Sequence, residues 1–356
     1  MYKVLISNTE LPSKTVGSWT NRLTKLINHH PTFFNYILSP SNALNTCVKC
    51  KKRSFITWYP RLRQVQLQHW VAKEYIKALK RIIKKNETWA LLVMDDMHLL
   101  EAIVWANKQH NWQAKITFSF HGFELNLKPE LLAGLHQILF LSKLAEAQFL
   151  DTHHNYHQNT AVVGNAVDSK VFYALDTQEK IQLKKSLGYN ENDVVLLWMA
   201  KDRPKKGFYI FKNLVELLWQ KYPQLKVITI GTEQTLNHTN VKKLGILPNL
   251  HLAQYLKISN IYTFTTQYDE GFGLSMIEAY KCGNMVVASK LGAIPEVLKD
   301  LPNTYLIDKS SKIEDWFECC NDLISELYNN RAPKVENKID IWEYDTWEAK
   351  FMNAIY

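Results

Sequence analysis

Residues 263–296 read TFTTQYDEGFGLSMIEAYKCGNMVVASKLGAIPE, and this stretch decides the fold. Ile261–Thr266 is an apolar run that predicts a strand, Asp269–Gly273 is a glycine-bearing turn, and Leu274–Lys281 has helical spacing. Met285–Ser289 predicts a second strand, and Gly292–Glu296 a second turn. Strand, turn, helix and strand in this order make one unit of a parallel α/β sheet, whose ligands bind at the carboxyl ends of its strands.

Two glutamates, Glu270 and Glu278, flank the Gly271-Phe272-Gly273 turn. On one helix, eight steps of about 100° would leave them about 80° apart, on no common face. With Glu270 in the loop and Glu278 in the first turns of the helix, both look into the space over the helix N-terminus. The N–H groups of Gly273, Leu274 and Ser275 point there too, and such a helix start receives anions. The blander possibility is a buried strand-turn-helix whose glutamates only complement the helix dipole.

The rest of the chain supplies the setting. Its 356 residues are 46% hydrophobic and 12% aromatic, enough for two folded domains with their own cores. The opening MYKVLISNTELPSK lacks the apolar centre of a signal peptide, and no uncharged run approaches a membrane span, so a cytoplasmic protein is expected. Five cysteines fit that compartment. Cys47-x-x-Cys50 has no second pair at zinc-ribbon spacing, which leaves free thiols or a metal or redox pair open.

The net charge of +9 is uneven: residues 1–165 carry 20 Lys+Arg against 10 Asp+Glu, and the remainder is nearly neutral. Residues 49–85 hold the densest run, with Glu74 as their one acid, and from Val65 onward apolar residues recur at helical spacing. Lys73, Lys77, Lys80, Arg81 and Lys84 fill the other face. This is either a solvated helix surface or a surface for an anionic membrane or acceptor. No recognised nucleic-acid module accompanies the charge, so no nucleic-acid partner is expected.

The runs E-G-F-G-L-S-M-I-E-A-Y-K-C-G (270–283), V-V-A-S (286–289) and G-A-I-P-E-V (292–297) resemble the donor-site signature of family 4 retaining glycosyltransferases of the GT-B fold. The resemblance is strong from about Ala161 onward and thin before it. It implies an α/β protein of two Rossmann-like domains with parallel sheets facing a central cleft. Residues 1–166 would bind the acceptor and 167–340 the nucleotide sugar, with a helix in 341–356 crossing back to the first domain. Asn165-Ala166-Val167-Asp168, then Phe172, resembles the family's N-G-V-D…F crossing segment, with Ala166 in place of glycine.

The same resemblance implies roles. Glu278 would hold the ribose hydroxyls. Glu270, beside the backbone of Gly271, Phe272 and Gly273, would hold the transferred sugar, and Leu274 and Ser275 the diphosphate. Ala200–Gly207 resembles the family's G-R-x-x-x-x-K-G segment: Lys206 and Gly207 match, while Ala200 and Lys201 replace Gly and Arg. Lys201 keeps the charge without the bidentate fork, and Arg203 stands two residues on. Gly245-Ile246 would pack the nucleobase. His121, at the end of a predicted strand (Ala114–Phe120), would lie beside the donor sugar. Gly17 and Ser18 fall in the loop where many relatives carry two glycines.

The activity implied is transfer of a sugar from a nucleoside-diphosphate sugar to a hydroxyl of a glycan or lipid-linked acceptor, with retention at the anomeric carbon. Synthesis of bacterial surface polysaccharide or lipopolysaccharide, at the inner face of the membrane, would suit the basic first half. No D-x-D occurs, so no metal and no cofactor besides the donor are expected. A glycoside hydrolase would also pair carboxylates, but would leave the phosphate-binding features without purpose. A catalytically degenerate relative that binds a nucleotide or glycan is the alternative.

Overall fold

The computed structural model describes residues 1–13, 18–52, 68–329 and 340–355. They form two compact units, Met1–Gly164 with Asp345–Tyr356, and Asn165–Tyr344.

The first unit is a parallel sheet of β1 (Tyr2–Ile6), β2 (Tyr36–Ser39), β3 (Cys47–Lys49), β4 (Trp89–Met94), β5 (Lys115–Ser119), β6 (Gln137–Phe140) and β7 (Asn159–Val162), in the order β3-β2-β1-β4-β5-β6-β7. All six residues of β4 are buried, as a central strand covered on both faces requires. The helices are α1 (Ser18–His29), α2 (Gln68–Val71), α3 (Lys73–Ile82), α4 (Met97–Gln109), α5 (Pro129–Leu132) and α6 (Lys143–Thr152). Asp96 and Ser142 cap α4 and α6 by accepting from the N–H groups of Leu99 and Ala145.

Two features depart from the sequence reading. Strands β2 and β3, of four and three residues, are too short to be recognised in the sequence. Cys47 lies on β3 and Cys50 just beyond it, and both are free thiols, one of the readings left open. The basic segment is not one helix: the chain breaks at Ala72 between α2 and α3. Gly17, Arg53, Trp58, Tyr59, Arg61, Arg63, Val65 and Leu67 lie outside the described residues.

The second unit repeats the plan. Its helices and strands alternate as α7 (Thr177–Ser186), β8 (Val195–Met199), α8 (Phe208–Lys221), β9 (Lys226–Ile230), β10 (Val241–Leu244), α9 (Asn249–Ile258), β11 (Ile261–Phe264), α10 (Leu274–Lys281), β12 (Met285–Ser289), α11 (Ile294–Val297), β13 (Thr304–Ile307) and α12 (Ile313–Tyr328). The parallel order is β10-β9-β8-β11-β12-β13. In each sheet the order reverses beside the first strand, between β1 and β4 or between β8 and β11. Connections leave such a neighbouring pair in opposite directions and open a crevice at their carboxyl ends.

A last helix, α13 (Tyr344–Ala354), belongs to the first unit from Asp345 onward. Its Trp347 and Phe351 are buried, the Arg22 guanidinium lies 4.6 Å from the Trp347 ring, and Glu348 pairs with His29 and His30 at 3.2 and 3.3 Å. Within the second unit, residues 340–344 run beside residues 165–169. The Val167 N–H donates to the Trp342 carbonyl, and buried Lys281 joins Glu343 and Ser169. Burying that ammonium is tolerable because a carboxylate and a hydroxyl both receive it.

Candidate functional site

The crevice between β8 and β11 is built from two loops sewn to each other. After β8 the chain passes through a short 3-10 turn, Pro204–Lys206, and reaches Gly207 with φ +72°. A Cβ there would sit 1.8 Å from the Thr265 carbonyl oxygen, so the backbone of Thr265 occupies the space that only glycine leaves. The Thr265 hydroxyl lies 2.9 Å from the Gly207 carbonyl and accepts from the Trp198 indole at 2.9 Å. The Gln267 N–H donates to the Lys205 carbonyl at 2.8 Å. These bonds fix the loop carrying Lys206 against the loop carrying Glu270.

Both side chains are the better placed for it. The Lys206 ammonium donates to Glu270 Oε1 at 2.6 Å and to the Tyr268 hydroxyl at 2.8 Å, and that hydroxyl donates to Glu270 Oε2 at 3.0 Å. The result is a closed triangle of ammonium, phenol and carboxylate. Burial pulls the Lys206 pKa down, but the Glu270 charge and the two hydrogen bonds outweigh it and leave it above the ordinary lysine value. Lys206 is therefore a fixed positive charge at neutral pH. Burial and the Glu270 charge raise the Tyr268 phenol, which stays protonated.

Past Glu270 the chain runs to Gly273, the N-cap of α10, and the first N–H groups of that helix open beside the triangle. Phe272 is buried, with the Trp342 ring edge-on at 4.8 Å, so its side chain is committed to packing and only its backbone serves the loop. Leu274 and Ser275 begin α10 and are half-buried. The buried Tyr262 hydroxyl lies 3.2 Å from the Met199 carbonyl and 2.9 Å from the Ser275 hydroxyl, which ties the end of β8 to the first turn of α10.

Glu278 lies in the second turn of α10, and among the described residues no hydrogen bond reaches its carboxyl group. It keeps some surface, yet the walls around it are close enough that burial pushes its pKa up to about 8. Its carboxyl group is mostly protonated at neutral pH. It accepts two hydroxyl hydrogen bonds as a carboxylate only after releasing that proton.

The remaining predicted residues divide. Lys201 and Arg203 are exposed on the same loop as Lys206. Ile246 is 69% exposed in the turn between β10 and α9, with Leu250 also exposed nearby in sequence. Ser18 opens α1, and Gly17 lies outside the described residues. His121 belongs to the first unit, two residues past β5. Its backbone N–H donates to Asp95 at 3.0 Å, its Nε2 lies 3.1 Å from the Ser119 hydroxyl, and Trp19 packs edge-on at 5.4 Å. Burial, with Arg22 close by, lowers its pKa to about 3, so the imidazole is neutral. Its Nδ1 is buried without a partner among the described residues. A neutral ring there offers a hydrogen bond but no charge.

Four parts of the site escaped the sequence reading. Tyr268 was two residues from Glu270 yet has no charge to draw notice. Tyr262 and Thr265 looked like ordinary strand residues. Gly292 sits where an added Cβ would meet the Glu270 backbone nitrogen at 2.5 Å, while its N–H donates to the Asp269 carboxylate at 2.8 Å. The structure confines the expected turn Gly292–Glu296 to Gly292 and Ala293, because Ile294–Val297 closes into the short helix α11, and the contact with Glu270 is invisible in sequence because it spans 22 residues. Among the described residues no group of three His, Cys, Asp or Glu side chains converges to hold a metal ion.

The chain resembles known proteins in sequence and in fold. Residues 179–338 match the family model "Glycosyl transferases group 1". A phosphatidyl-myo-inositol mannosyltransferase of Propionibacterium freudenreichii is 29% identical over 148 residues, 42% of this chain and 37% of that one. The GDP-mannose-dependent monoacylated alpha-(1-6)-phosphatidylinositol monomannoside mannosyltransferase of Corynebacterium glutamicum is 22% identical over 66% of this chain and 67% of its own. The chain thus spans little more than a third of the first relative and two thirds of the second. Among solved structures, HepE of Anabaena with UDP and glucose superposes with a TM-score of 0.73 at 15% identity, covering 99% of both chains. The likeness in fold is to GT-B proteins, with two parallel sheets of seven and six strands.

Proposed function

We propose, from the match of residues 179–338 to the family model "Glycosyl transferases group 1", that this chain transfers a sugar from a nucleoside-diphosphate donor to a hydroxyl of a lipid-linked or glycan acceptor. The observation that carries the reading is the Lys206–Tyr268–Glu270 triangle beside the N-terminus of α10, at the point where the second sheet reverses its order. A diphosphate leaving group develops negative charge on its oxygens, and a fixed ammonium with helix amides is the arrangement that stabilises it. Each charge-assisted hydrogen bond contributes roughly 1.5–3 kcal/mol, so Lys206 and two amides supply a large share of the leaving-group stabilisation. Lys201, as a point charge, adds to them.

Glu278 takes the ribose hydroxyls, Glu270 and the Gly271–Gly273 backbone take the transferred sugar, and Ile246 covers the nucleobase. The anomeric configuration is retained by front-face attack without a protein nucleophile, and no metal takes part. Anomeric analysis of the product by NMR and turnover in excess EDTA test those two points.

The acceptor side is read from the relatives, whose names specify phosphatidylinositol-based acceptors, and from the basic face of α3. That helix buries Tyr75, Ile76, Ala78 and Leu79 in the first unit and exposes Lys73, Lys77, Lys80 and Arg81, while Lys84, expected on the same face, lies exposed just past the helix end. Its apolar face is already used, so it meets an anionic membrane by charge rather than by insertion. Among the described residues no helix is long and apolar enough to cross a membrane. A bacterial surface glycan or lipopolysaccharide is the acceptor class this suits.

The test is nucleotide release from a panel of UDP-, GDP- and ADP-sugars. Turnover of at least one donor, abolished in Glu278→Ala, is expected. A chain that binds donors without turning any over would instead be the degenerate relative that Lys201, in place of arginine, leaves as the second reading.

A further inference from the structure

Tyr268 forms the third side of the triangle, and nothing in the reading above gives it work. Its bonding directions are fixed. An ammonium only donates and a carboxylate only accepts, so the phenol oxygen must accept from Lys206 and its proton must go to Glu270 Oε2. Its ring lies 4.0 Å from the Lys205 ammonium and 4.8 Å from that of Lys206, within range of a cation–π contact. One aromatic side chain thus touches both halves of the pocket, the cations through its face and the carboxylate through its hydroxyl.

The two halves answer to different parts of a donor. Lys206 has three N–H donors, of which Glu270 and Tyr268 take two. A diphosphate, more highly charged than a carboxylate, competes for this ammonium. When it draws Lys206, Glu270 loses the stronger of its two anchors. Its Oε2 remains held by the tyrosine hydroxyl, because that bond does not pass through lysine.

We propose that Tyr268 is a positioning residue that keeps the Glu270 carboxylate aimed at the sugar of a nucleoside-diphosphate sugar once the diphosphate has engaged Lys206. The inference rests on the glycosyltransferase reading and goes beyond it. It makes the phenol hydroxyl selective for the sugar-bearing ligand over the bare nucleoside diphosphate. A tyrosine that merely packed would serve both equally.

Tyr268→Phe separates the roles, since it keeps the ring under both lysines and removes the hydroxyl alone. Calorimetric titration of the full-length protein with UDP, GDP and their glucose, mannose and N-acetylglucosamine derivatives gives the readout. Tyr268→Phe is expected to melt at the wild-type temperature, to bind the nucleoside diphosphate as wild type does, and to lose on the order of tenfold in affinity for the matching nucleotide sugar. Where turnover is measured, kcat/KM falls with the nucleotide-sugar affinity. Tyr268→Leu, lacking the ring as well, is expected to weaken both ligands. A Tyr268→Phe variant that binds both ligands normally, or that weakens both by the same factor, overturns the inference and leaves the reading of the site intact. A wild-type protein that binds no member of the panel overturns that reading, and the inference with it.

Discussion

Gly292 offers the sharpest perturbation because it has no side chain and acts on Glu270 only through the backbone. A Cβ added there would lie 2.5 Å from the Glu270 nitrogen and 2.6 Å from its carbonyl oxygen, short of ordinary contact by about 0.9 Å. The neighbour is main chain, so it cannot swing aside as a side chain would. Either Glu270 moves by most of that distance, or the turn moves and breaks the bonds from Gly292 to Asp269 and from Ala293 to the Glu270 carbonyl. The φ of +56° adds strain of roughly 1–2 kcal/mol for any L residue. A displacement near 1 Å of a substrate-holding group costs on the order of a hundredfold in rate. Gly292→Ala is therefore expected to lose about that factor in kcat/KM, with only a modest drop in melting temperature. Gly188→Ala is the matched control, since Gly188 has φ +85° and open space where its Cβ would go. It should show the strain in a thermal melt and leave turnover alone. Wild-type turnover in Gly292→Ala, or an equal loss in Gly188→Ala, would refute the argument.

Other outcomes follow from the same structure. Because burial holds the Glu278 pKa near 8, donor affinity should rise with pH by up to about tenfold per unit until the carboxyl is ionised, and Glu278→Gln should bind weakly with no such slope. The lowered pKa of His121 bears on folding and not on donor affinity. The unfolded chain binds a proton that the native ring refuses, so stability should fall as pH drops below the ordinary histidine range, and less so in His121→Gln. Lys206→Met should remove the cation from the triangle and cost roughly 1–3 kcal/mol of donor binding, read as weaker nucleoside-diphosphate affinity. Replacing Lys73, Lys77, Lys80 and Lys84 with Gln should remove about 1 kcal/mol of attraction per residue to anionic vesicles, read by sedimentation at low and high salt. Wild-type protein that ignores such vesicles would count against the membrane assignment.

Much of the second unit was legible in the sequence. Helix Leu274–Lys281 and strand Met285–Ser289 begin and end where the sequence reading puts them, the helix stopping just before Gly283 and the strand being buried along its whole length. Strands were found wherever both faces are buried, since a continuous apolar run is then required. The edge strand β3 and its neighbour β2 were not, being only three and four residues long. Within the site, charged residues announced themselves and uncharged ones did not. Glu270, Glu278 and Lys206 stood out as types, but the direct Lys206–Glu270 pair and the tyrosine closing it depend on the stitching of two loops about 60 residues apart. The protonated state of Glu278 was equally hidden. Sequence shows a carboxyl group, and only its surroundings determine whether it carries a charge.

The central claim is that the N-terminus of α10, with Lys206 and Glu278, holds a nucleoside-diphosphate sugar. A crystal structure of the protein soaked with the donor that shows turnover tests it most directly. The account expects diphosphate oxygens on Lys206 and on the N–H groups of Leu274 and Ser275, ribose hydroxyls on Glu278, and the sugar against Glu270 with Tyr268 still bonded to it. A donor bound elsewhere, or one whose phosphates lie on Glu278 with Lys206 still paired only to Glu270 and Tyr268, would contradict it.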